Sequence, residues 1–255
     1  MEPEIKWHGT ASIEMKNQSG RILFDPFVPL RGSTVSVSIE DYEGINDIFI
    51  THGHLDHIVS IPALFQKNPN IRIHCTKTPY KTLVKKGIPE SNLVQITFGS
   101  EMSVHNFKLK AYHGKHAILP GPSKQRISYM LKSPARGNLP FIIKENCLCR
   151  EKGETVFYEI EAEGKRISLM GSLNLREEID YPTGNDLLIL PYSGWEDNFL
   201  PAVKIIERLK PKRILLDHYD DTFPPVTQPV DLSLILQKYE GRIKAMQLNQ
   251  AEVSW

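Results

Sequence analysis

The 255-residue chain has few of the features that mark secreted or membrane-embedded proteins. It holds only three cysteines, Cys75, Cys147 and Cys149, and the Cys-Leu-Cys spacing is too tight for a disulfide or a zinc ribbon. No apolar run approaches the roughly 20 residues that span a bilayer, and the start of the chain is acidic rather than basic. We therefore expect reduced thiols, no export signal, no membrane anchor and a cytoplasmic location.

An excess of charge of either sign is also missing. Lys plus Arg number 31 and Asp plus Glu number 30, which leaves a formal net charge of +1. No global field is available to attract nucleic acid or an anionic membrane. We expect a small-molecule substrate, neither of those partners, and no particular oligomeric state.

The composition is that of an ordinary globular chain, with 40% hydrophobic and 24% charged residues. No repeat of fixed period and no low-complexity linker divides it, so we expect one domain over residues 1–255. The stretch near 119–150 shows the least regular pattern and carries several prolines. It is predicted to be an irregular insertion or a lid.

Strand and helix patterns alternate along the chain, which favours a layered α/β fold. The segments 155–161 and 166–170, with Glu163-Gly164 between them, predict a hairpin. The remaining predicted strands are 4–8, 12–16, 21–24, 47–50, 71–75, 93–97, 104–112, 186–190, 213–216 and 244–248, and the predicted helices are 58–65, 80–86, 202–209 and 232–239.

Three histidines and a carboxylate lie within six residues directly after the predicted strand 47–50. They are His52, His54, Asp56 and His57. Imidazole and carboxylate are common ligands of divalent metals, and residues two apart in extended chain face the same way. A purely structural cluster would need all four groups satisfied by hydrogen bonds alone. The spacing therefore predicts a metal centre on a strand-to-helix turn.

Two further histidines stand at the exits of predicted strands. A lone histidine is more often a surface or hydrogen-bonded residue than a ligand, but a cluster already in place needs ligands from other strands. His113 and His218 are predicted to supply them. His116 is the chief rival of His113 for this position, and the alternative role for His116 is contact with the substrate as the proton donor to the leaving group.

The chain resembles the metallo-β-lactamase-fold superfamily, particularly the branch that contains L-ascorbate-6-phosphate lactonase and related metal-dependent hydrolases. The likeness lies in Trp7 to Ser12, Leu23 to Phe27, Thr51 to His57, Ala111 to His113, and Asp217 to Asp220. It implies an αββα sandwich. It also implies one metal held by His52, His54 and His113, and a second held by Asp56, His57 and His218.

The chain departs from the family at Ser172, which stands where the family usually places an aspartate that bridges both metals. A serine hydroxyl is a poor ligand for a divalent ion, so the second ion should bind more weakly or not at all. Asn174 and Asp217 are weak candidates to compensate. The family match also suggests that Asp25 supports a ligand histidine.

These observations predict a hydrolase that uses metal-activated water on an ester, lactone or phosphodiester of a small molecule, with Asp56 orienting the nucleophile. Zinc is the first choice of metal, with manganese and iron as alternatives, and one or two ions are compatible with the pattern. The alternatives are a metal-binding protein with little or no turnover because of Ser172, and a nuclease.

Overall fold

Two seven-stranded sheets form the centre of the molecule in a computed structural model that describes residues 2–117, 123–193 and 198–252. The first sheet has the order β14-β1-β2-β3-β4-β5-β6. Its strands are β1 (Glu4–Trp7), β2 (Ile13–Asn17), β3 (Gly20–Phe24), β4 (Asp47–Phe49), β5 (Arg72–Cys75), β6 (Leu93–Gln95) and β14 (Ala251–Glu252). From β3 to β6 neighbouring strands run parallel, and the outer pairs are antiparallel.

The second sheet has the order β13-β12-β11-β10-β9-β8-β7. Its strands are β7 (Glu101–Val104), β8 (Phe107–His113), β9 (Val156–Ala162), β10 (Lys165–Met170), β11 (Leu187–Pro191), β12 (Arg213–Asp217) and β13 (Ile243–Ala245). The four strands from β10 to β13 are parallel, whereas β7, β8, β9 and β10 pair antiparallel.

Helices cover the outer face of each sheet. They are α1 (Leu55–Ile58), α2 (Ile61–Lys67), α3 (Lys77–Lys85), α4 (Lys124–Lys132), α5 (Leu139–Leu148), α6 (Phe199–Leu209) and α7 (Ser233–Lys238), with 3-10 turns at Ile39–Tyr42, Glu90–Asn92 and Pro134–Asn138. Buried residues of α1, α2, α3 and α5 pack on the first sheet, and those of α6 and α7 pack on the second.

Successive residues of the central strands enter different layers of the core. Ile48 packs toward the helices of the first sheet, whereas Phe49 packs between the sheets. In β11, Leu188 joins the helix-facing layer of the second sheet and Ile189 the layer between the sheets. Because side chains alternate across a strand, a continuous apolar run is buried on both faces. The predicted αββα sandwich is confirmed.

The predicted hairpin at 155–161 and 166–170 is present as β9 and β10. The predicted single strand at 104–112 is instead a hairpin, β7 and β8. It turns at His105 and Asn106, which both have positive φ (48° and 61°). Asparagine tolerates this left-handed conformation better than most residues.

The stretch near 119–150 is more regular than the sequence pattern indicates. Residues 118–122 lie outside the described residues, but α4, the turn Pro134–Asn138 and α5 follow without a long break. No residue of α4 is buried, so this helix has no side chain in the hydrophobic core.

A buried carboxylate joins the two sheets at the edge opposite the predicted metal site. Asp47, at the start of β4, accepts hydrogen bonds from Arg72 (2.9 Å) and His74 (3.1 Å) on the next strand. It also lies 3.1 Å from Nε2 of His105, in the turn of the second sheet.

All three cysteines are free thiols. Among the described residues, no helix has both the length and the apolarity needed to cross a bilayer.

Candidate metal centre

The predicted site residues gather where strands of both sheets end. Asp25 directly follows β3, and Thr51 follows β4 by two residues. Because β3 and β4 are parallel, their carboxyl ends meet at one edge of the sheet. His218 directly follows β12 of the second sheet and reaches the same place. The two halves of the sandwich therefore contribute to one site.

Three histidines form the first group of metal-ligating atoms. Nε2 of His52 lies 3.1 Å from Nδ1 of His54. The ring of His116 lies 4.9 Å from that of His52 and 4.5 Å from that of His54. One ligand atom from each residue lies within 4.8 Å of the others, which is the spacing that three ligands of one ion require.

The second group consists of Asp56, His57 and His218, again with ligand atoms within 4.8 Å of one another. Oδ2 of Asp56 is 3.5 Å from Nε2 of His57 and 3.3 Å from Nε2 of His218. His52 and His57 have ring centroids only 3.8 Å apart, so the two groups are neighbours.

Electrostatics differ between the two groups. Burial lowers the pKa of His52, His54 and His116, to about 4 for His54, so these rings are neutral and carry lone pairs near neutral pH. Burial also opposes a charge on His57, but Asp25 and Asp56 raise its pKa to about 9. The second group therefore attracts positive charge, whether that charge is a proton or a cation.

Hydrogen bonds between the ligand rings and their surroundings fix which ring nitrogen faces the cavity. Nδ1 of His116 lies 2.7 Å from the carbonyl of Ala117. A carbonyl only accepts, so this nitrogen carries the proton and Nε2 keeps its lone pair. Nδ1 of His57 likewise lies 2.8 Å from Oδ2 of Asp25, which leaves Nε2 toward Asp56.

Asp25 is held in turn by Thr51. The backbone amide of Thr51 donates to Oδ1 of Asp25 (2.8 Å), and its hydroxyl donates to Oδ2 (2.5 Å). Asp25 is fully buried and has a positive φ of 44°, and His218 has a φ of 61°. Non-glycine residues adopt this conformation only where their surroundings impose it, and such positions concentrate at functional sites.

Two glycines allow the loops to approach each other. A Cβ at Gly53 would lie 2.3 Å from the carbonyl oxygen of Arg150, and one at Gly171 would lie 2.5 Å from Cβ of Thr51. Any side chain at either position would push the histidine turn away from its neighbours.

His113 is the predicted ligand that the structure does not bring to the cluster. Its Nε2 donates to the carbonyl of Gly153 (2.7 Å), and its ring stacks on Phe98 at 3.9 Å. His113 is the last residue of β8, whereas His116 lies beyond it in the loop that bends toward the first sheet. His116, and not His113, therefore forms the group with His52 and His54.

Ser172 lies in the wall of the cavity and is nearly buried, at 9% exposure. Its hydroxyl accepts a hydrogen bond from the amide of Ala117 (3.0 Å) and so helps to hold the loop that carries His116.

The two residues considered as replacements for the bridging carboxylate have other environments. Asn174 donates to the carbonyl of His116 (3.2 Å) and caps the amide of Leu175 (2.9 Å). Asp217 is buried at the end of β12, where burial raises its pKa to about 7. Neither belongs to one of the two ligand groups among the described residues.

The two groups share one cavity of about 280 Å³. Sequence reasoning did not identify several residues of its wall, because they come from distant loops and carry no ligand pattern. These are Asn146, Pro191, Ser193, Phe223, Val226 and Thr227.

The donor set fits a divalent metal. Three of its six residues are buried and three are half-buried, and lone pairs of several neutral imidazoles converge on the same small space. Buried nitrogens with facing lone pairs repel each other unless a proton or a cation lies between them. An αββα sandwich that carries a centre of histidines and aspartate at its strand ends is the architecture of a class of metal-dependent hydrolases.

Comparison with known proteins agrees with this class. The model of the β-lactamase superfamily domain matches residues 20–219. A metal-dependent hydrolase of Desulfitobacterium hafniense is 27% identical over 239 residues, which are 92% of this chain and 91% of the relative.

Solved structures show the same fold. Igni18, a metallo hydrolase from Ignicoccus hospitalis, superposes with a TM-score of 0.69 at 17% identity and covers 99% of this chain and 98% of its own. An isothiocyanate hydrolase from Delia radicum gut bacteria superposes with a TM-score of 0.65 at 14% identity and covers 98% of each chain.

The chain therefore belongs to the β-lactamase superfamily, and the predicted enzyme class, a metal-dependent hydrolase, is confirmed. The narrower resemblance to the ascorbate-lactonase branch stays a prediction.

Proposed function

We propose that this protein hydrolyses an ester, lactone or phosphodiester bond of a small molecule with the help of divalent metal bound by two groups of residues. His52, His54 and His116 hold one ion, and Asp56, His57 and His218 hold another. The observation that carries the proposal is the convergence of both groups in one cavity at the ends of strands from both sheets.

Zinc is the metal that we propose. Five of the six ligand residues that face the cavity are histidines and the sixth is an aspartate, and zinc accepts mixed nitrogen and carboxylate ligands readily. A divalent ion bound there supplies Lewis acidity and activates water at neutral pH.

The residues of the chain have separate roles in this scheme. Asp56 is the carboxylate of the cavity, and its negative charge persists because His57 and His218 hold its pKa well below the ordinary value against the effect of burial. It orients the attacking water. His116 is a poor proton donor, because burial lowers its pKa and its Nδ1 proton is bound to Ala117. We therefore assign it to metal binding and not to protonation of the leaving group.

The setting that we propose is a single cytoplasmic domain that acts on small molecules. Free thiols at Cys75, Cys147 and Cys149 support a reducing compartment. Asn146 of α5 lies in the wall of the metal cavity, which supports the prediction that α4 and α5 form a lid over that cavity.

Removal and return of metal tests this function. Protein treated with a chelator should lose hydrolysis of a panel of aryl esters, lactones and phosphodiesters, and added zinc should restore it. Full activity in protein shown by elemental analysis to be free of metal would contradict the proposal.

A second candidate, a metal-binding protein with little turnover, is favoured by Ser172. Its hydroxyl binds the amide of Ala117 and provides no negative charge between the two groups. If Ser172→Asp shows hydrolysis that the unaltered protein lacks at equal metal content, this second candidate is correct. If the unaltered protein already turns over, it is not.

A further inference from the structure

A second, larger cavity adjoins the proposed metal centre. Its volume is about 670 Å³, and it lies between the turn Pro134–Asn138, which links α4 to α5, and the loop that follows His218. The residues of its wall that matter here are Arg31, Asn138, Asp221, Pro224, Thr227 and Gln228.

One short loop separates the two cavities. Phe223 and Val226 line the metal cavity, whereas Pro224 and Gln228 line the second one. Thr227 lines both. Its hydroxyl accepts a hydrogen bond from the amide of Phe223 (3.0 Å), so this residue is fixed at the boundary. Thr227 is therefore the residue at which the walls of the two cavities meet.

The far wall of the second cavity is held by hydrogen bonds. The side-chain amide of Asn138 donates to the carbonyl of Arg31 (2.9 Å) and to the carbonyl of Pro224 (2.8 Å). It thereby connects three separate segments of the chain. The cavity is preformed, which reduces the ordering cost of binding.

The wall of the second cavity carries one positive and one negative side chain, and they differ in how far their polar atoms are already engaged. Among the residues described in this wall, Arg31 is the one base and Asp221 the one acid. The carboxylate of Asp221 already accepts hydrogen bonds from the hydroxyl of Ser33 (3.1 Å) and from the amide (3.0 Å) and hydroxyl (2.9 Å) of Thr34. Within the described part of the chain no ion pair joins it to Arg31, which is exposed and so accessible to an anion.

We propose that the second cavity binds the remote end of the substrate and that this end carries an anionic oxygen group, a carboxylate or a phosphate. This inference rests on the proposed hydrolase function. The bond to be cleaved lies in the metal cavity, the chain of the substrate passes Thr227, and Arg31 binds the anion. A guanidinium group suits both anions, because its donors can engage two oxygens at once.

Three esters of equal acyl length test the charge preference in the zinc-loaded enzyme. They are 4-nitrophenyl hexanoate, mono-4-nitrophenyl adipate and the hexanoate ester with a 6-phosphate. We expect kcat/KM to be about tenfold or more higher for an anionic ester than for the neutral one, as a charged hydrogen bond implies. The adipate and phosphate esters distinguish the two anions.

Two variants locate the effect. Arg31→Gln should abolish the preference, so that the anionic esters react no faster than the neutral one, whereas Lys132→Gln, an exposed base of α4 outside the cavity wall, should leave the preference intact. Thr227→Phe should lower kcat/KM for the six-carbon esters by a larger factor than for 4-nitrophenyl acetate, which is too short to reach the second cavity. Equal rates on neutral and anionic esters, or an equal loss on both in Arg31→Gln, would overturn the proposal.

A binding measurement separates this proposal from the hydrolase function. If no ester is cleaved, titration calorimetry with adipate and with hexyl phosphate decides the matter. Binding of either that Arg31→Gln removes and Lys132→Gln keeps supports the subsite even though the proposed reaction has failed. Absence of binding of both to the unaltered protein refutes the subsite.

Discussion

The exchange of His113 for His116 depends on where β8 ends. His113 is the last residue of this strand and His116 lies three positions further on, in the loop, where the regular alternation of side chains no longer holds. His113 remains in the strand and binds Gly153, whereas His116 lies beyond it, next to His52 and His54. Sequence spacing alone could not decide between them, because neither the end of the strand nor the bend of the loop has a distinct signal.

Matched substitutions of the two histidines test this assignment. His116→Gln should lower the affinity for zinc by at least about tenfold, since one of three nitrogen ligands is lost. His113→Gln should leave zinc content and activity unchanged, because its partner is a backbone carbonyl outside the cluster. Competition with a chromophoric chelator measures both affinities, and the opposite ranking would restore His113 as the ligand.

The contact of Asp25 with His57 gives another test at the scale of one residue. Asp25→Asn keeps the shape of the side chain but removes the charge that holds the Nδ1 proton of His57. Loss of such a supporting carboxylate typically weakens metal binding by about 10- to 100-fold. The exposed Asp180→Asn serves as control, and equal zinc affinity of both variants would show that Asp25 has no such role.

At the scale of elements, the site depends on close packing between loops rather than on the ligands alone. Gly171 follows β10 and faces Thr51, whose hydroxyl binds Asp25. Sequence patterns revealed the strands that lead to these loops, because alternating and continuous apolar runs are strong signals. They did not reveal α4, which has no buried face, nor the approach of Gly171 to Thr51, which depends on how two sheets pack.

Gly171→Ala should therefore destabilise the protein by about 1–3 kcal/mol, the usual cost of forcing a methyl group into a packed region. The added Cβ would lie 2.5 Å from Cβ of Thr51 and 2.9 Å from the carbonyl oxygen of Val156. Gly137→Ala is the control, because a Cβ there meets nothing within 4 Å. Urea midpoints of the metal-free variants give the comparison, and equal midpoints would contradict the packing argument.

At the scale of the whole molecule, the αββα arrangement was predictable while the contacts between its halves were not. The family likeness and the central apolar strands indicated the sandwich, but no local pattern shows that Asp47 of the first sheet meets His105 in a turn of the second. That contact follows from the packing of complete sheets. The same holds for the boundary between the two cavities, which is a single loop near Thr227.

Asp47 provides a test of how buried charge stabilises this edge of the molecule. Burial alone would raise its pKa, yet His74 and Arg72 lower it to about 2 from an ordinary 3.8. Since the folded-state pKa is the lower one, the carboxylate stabilises the fold above the unfolded-state value, by about 2 kcal/mol, and this contribution is lost as the pH falls toward 2. Asp47→Asn should thus be less stable by about 2 kcal/mol at pH 7 and by roughly half of that at pH 3.

Urea unfolding of metal-free protein between pH 3 and pH 7 measures this dependence. Glu163→Gln, on the exposed turn between β9 and β10, removes a carboxylate with no such partners and should follow the unaltered protein across the range. A difference between Asp47→Asn and the unaltered protein that stays constant with pH would mean that shape and not charge holds the contact. The ion pairs of Asp47 with Arg72 and His74 would then contribute nothing to the stability of the fold.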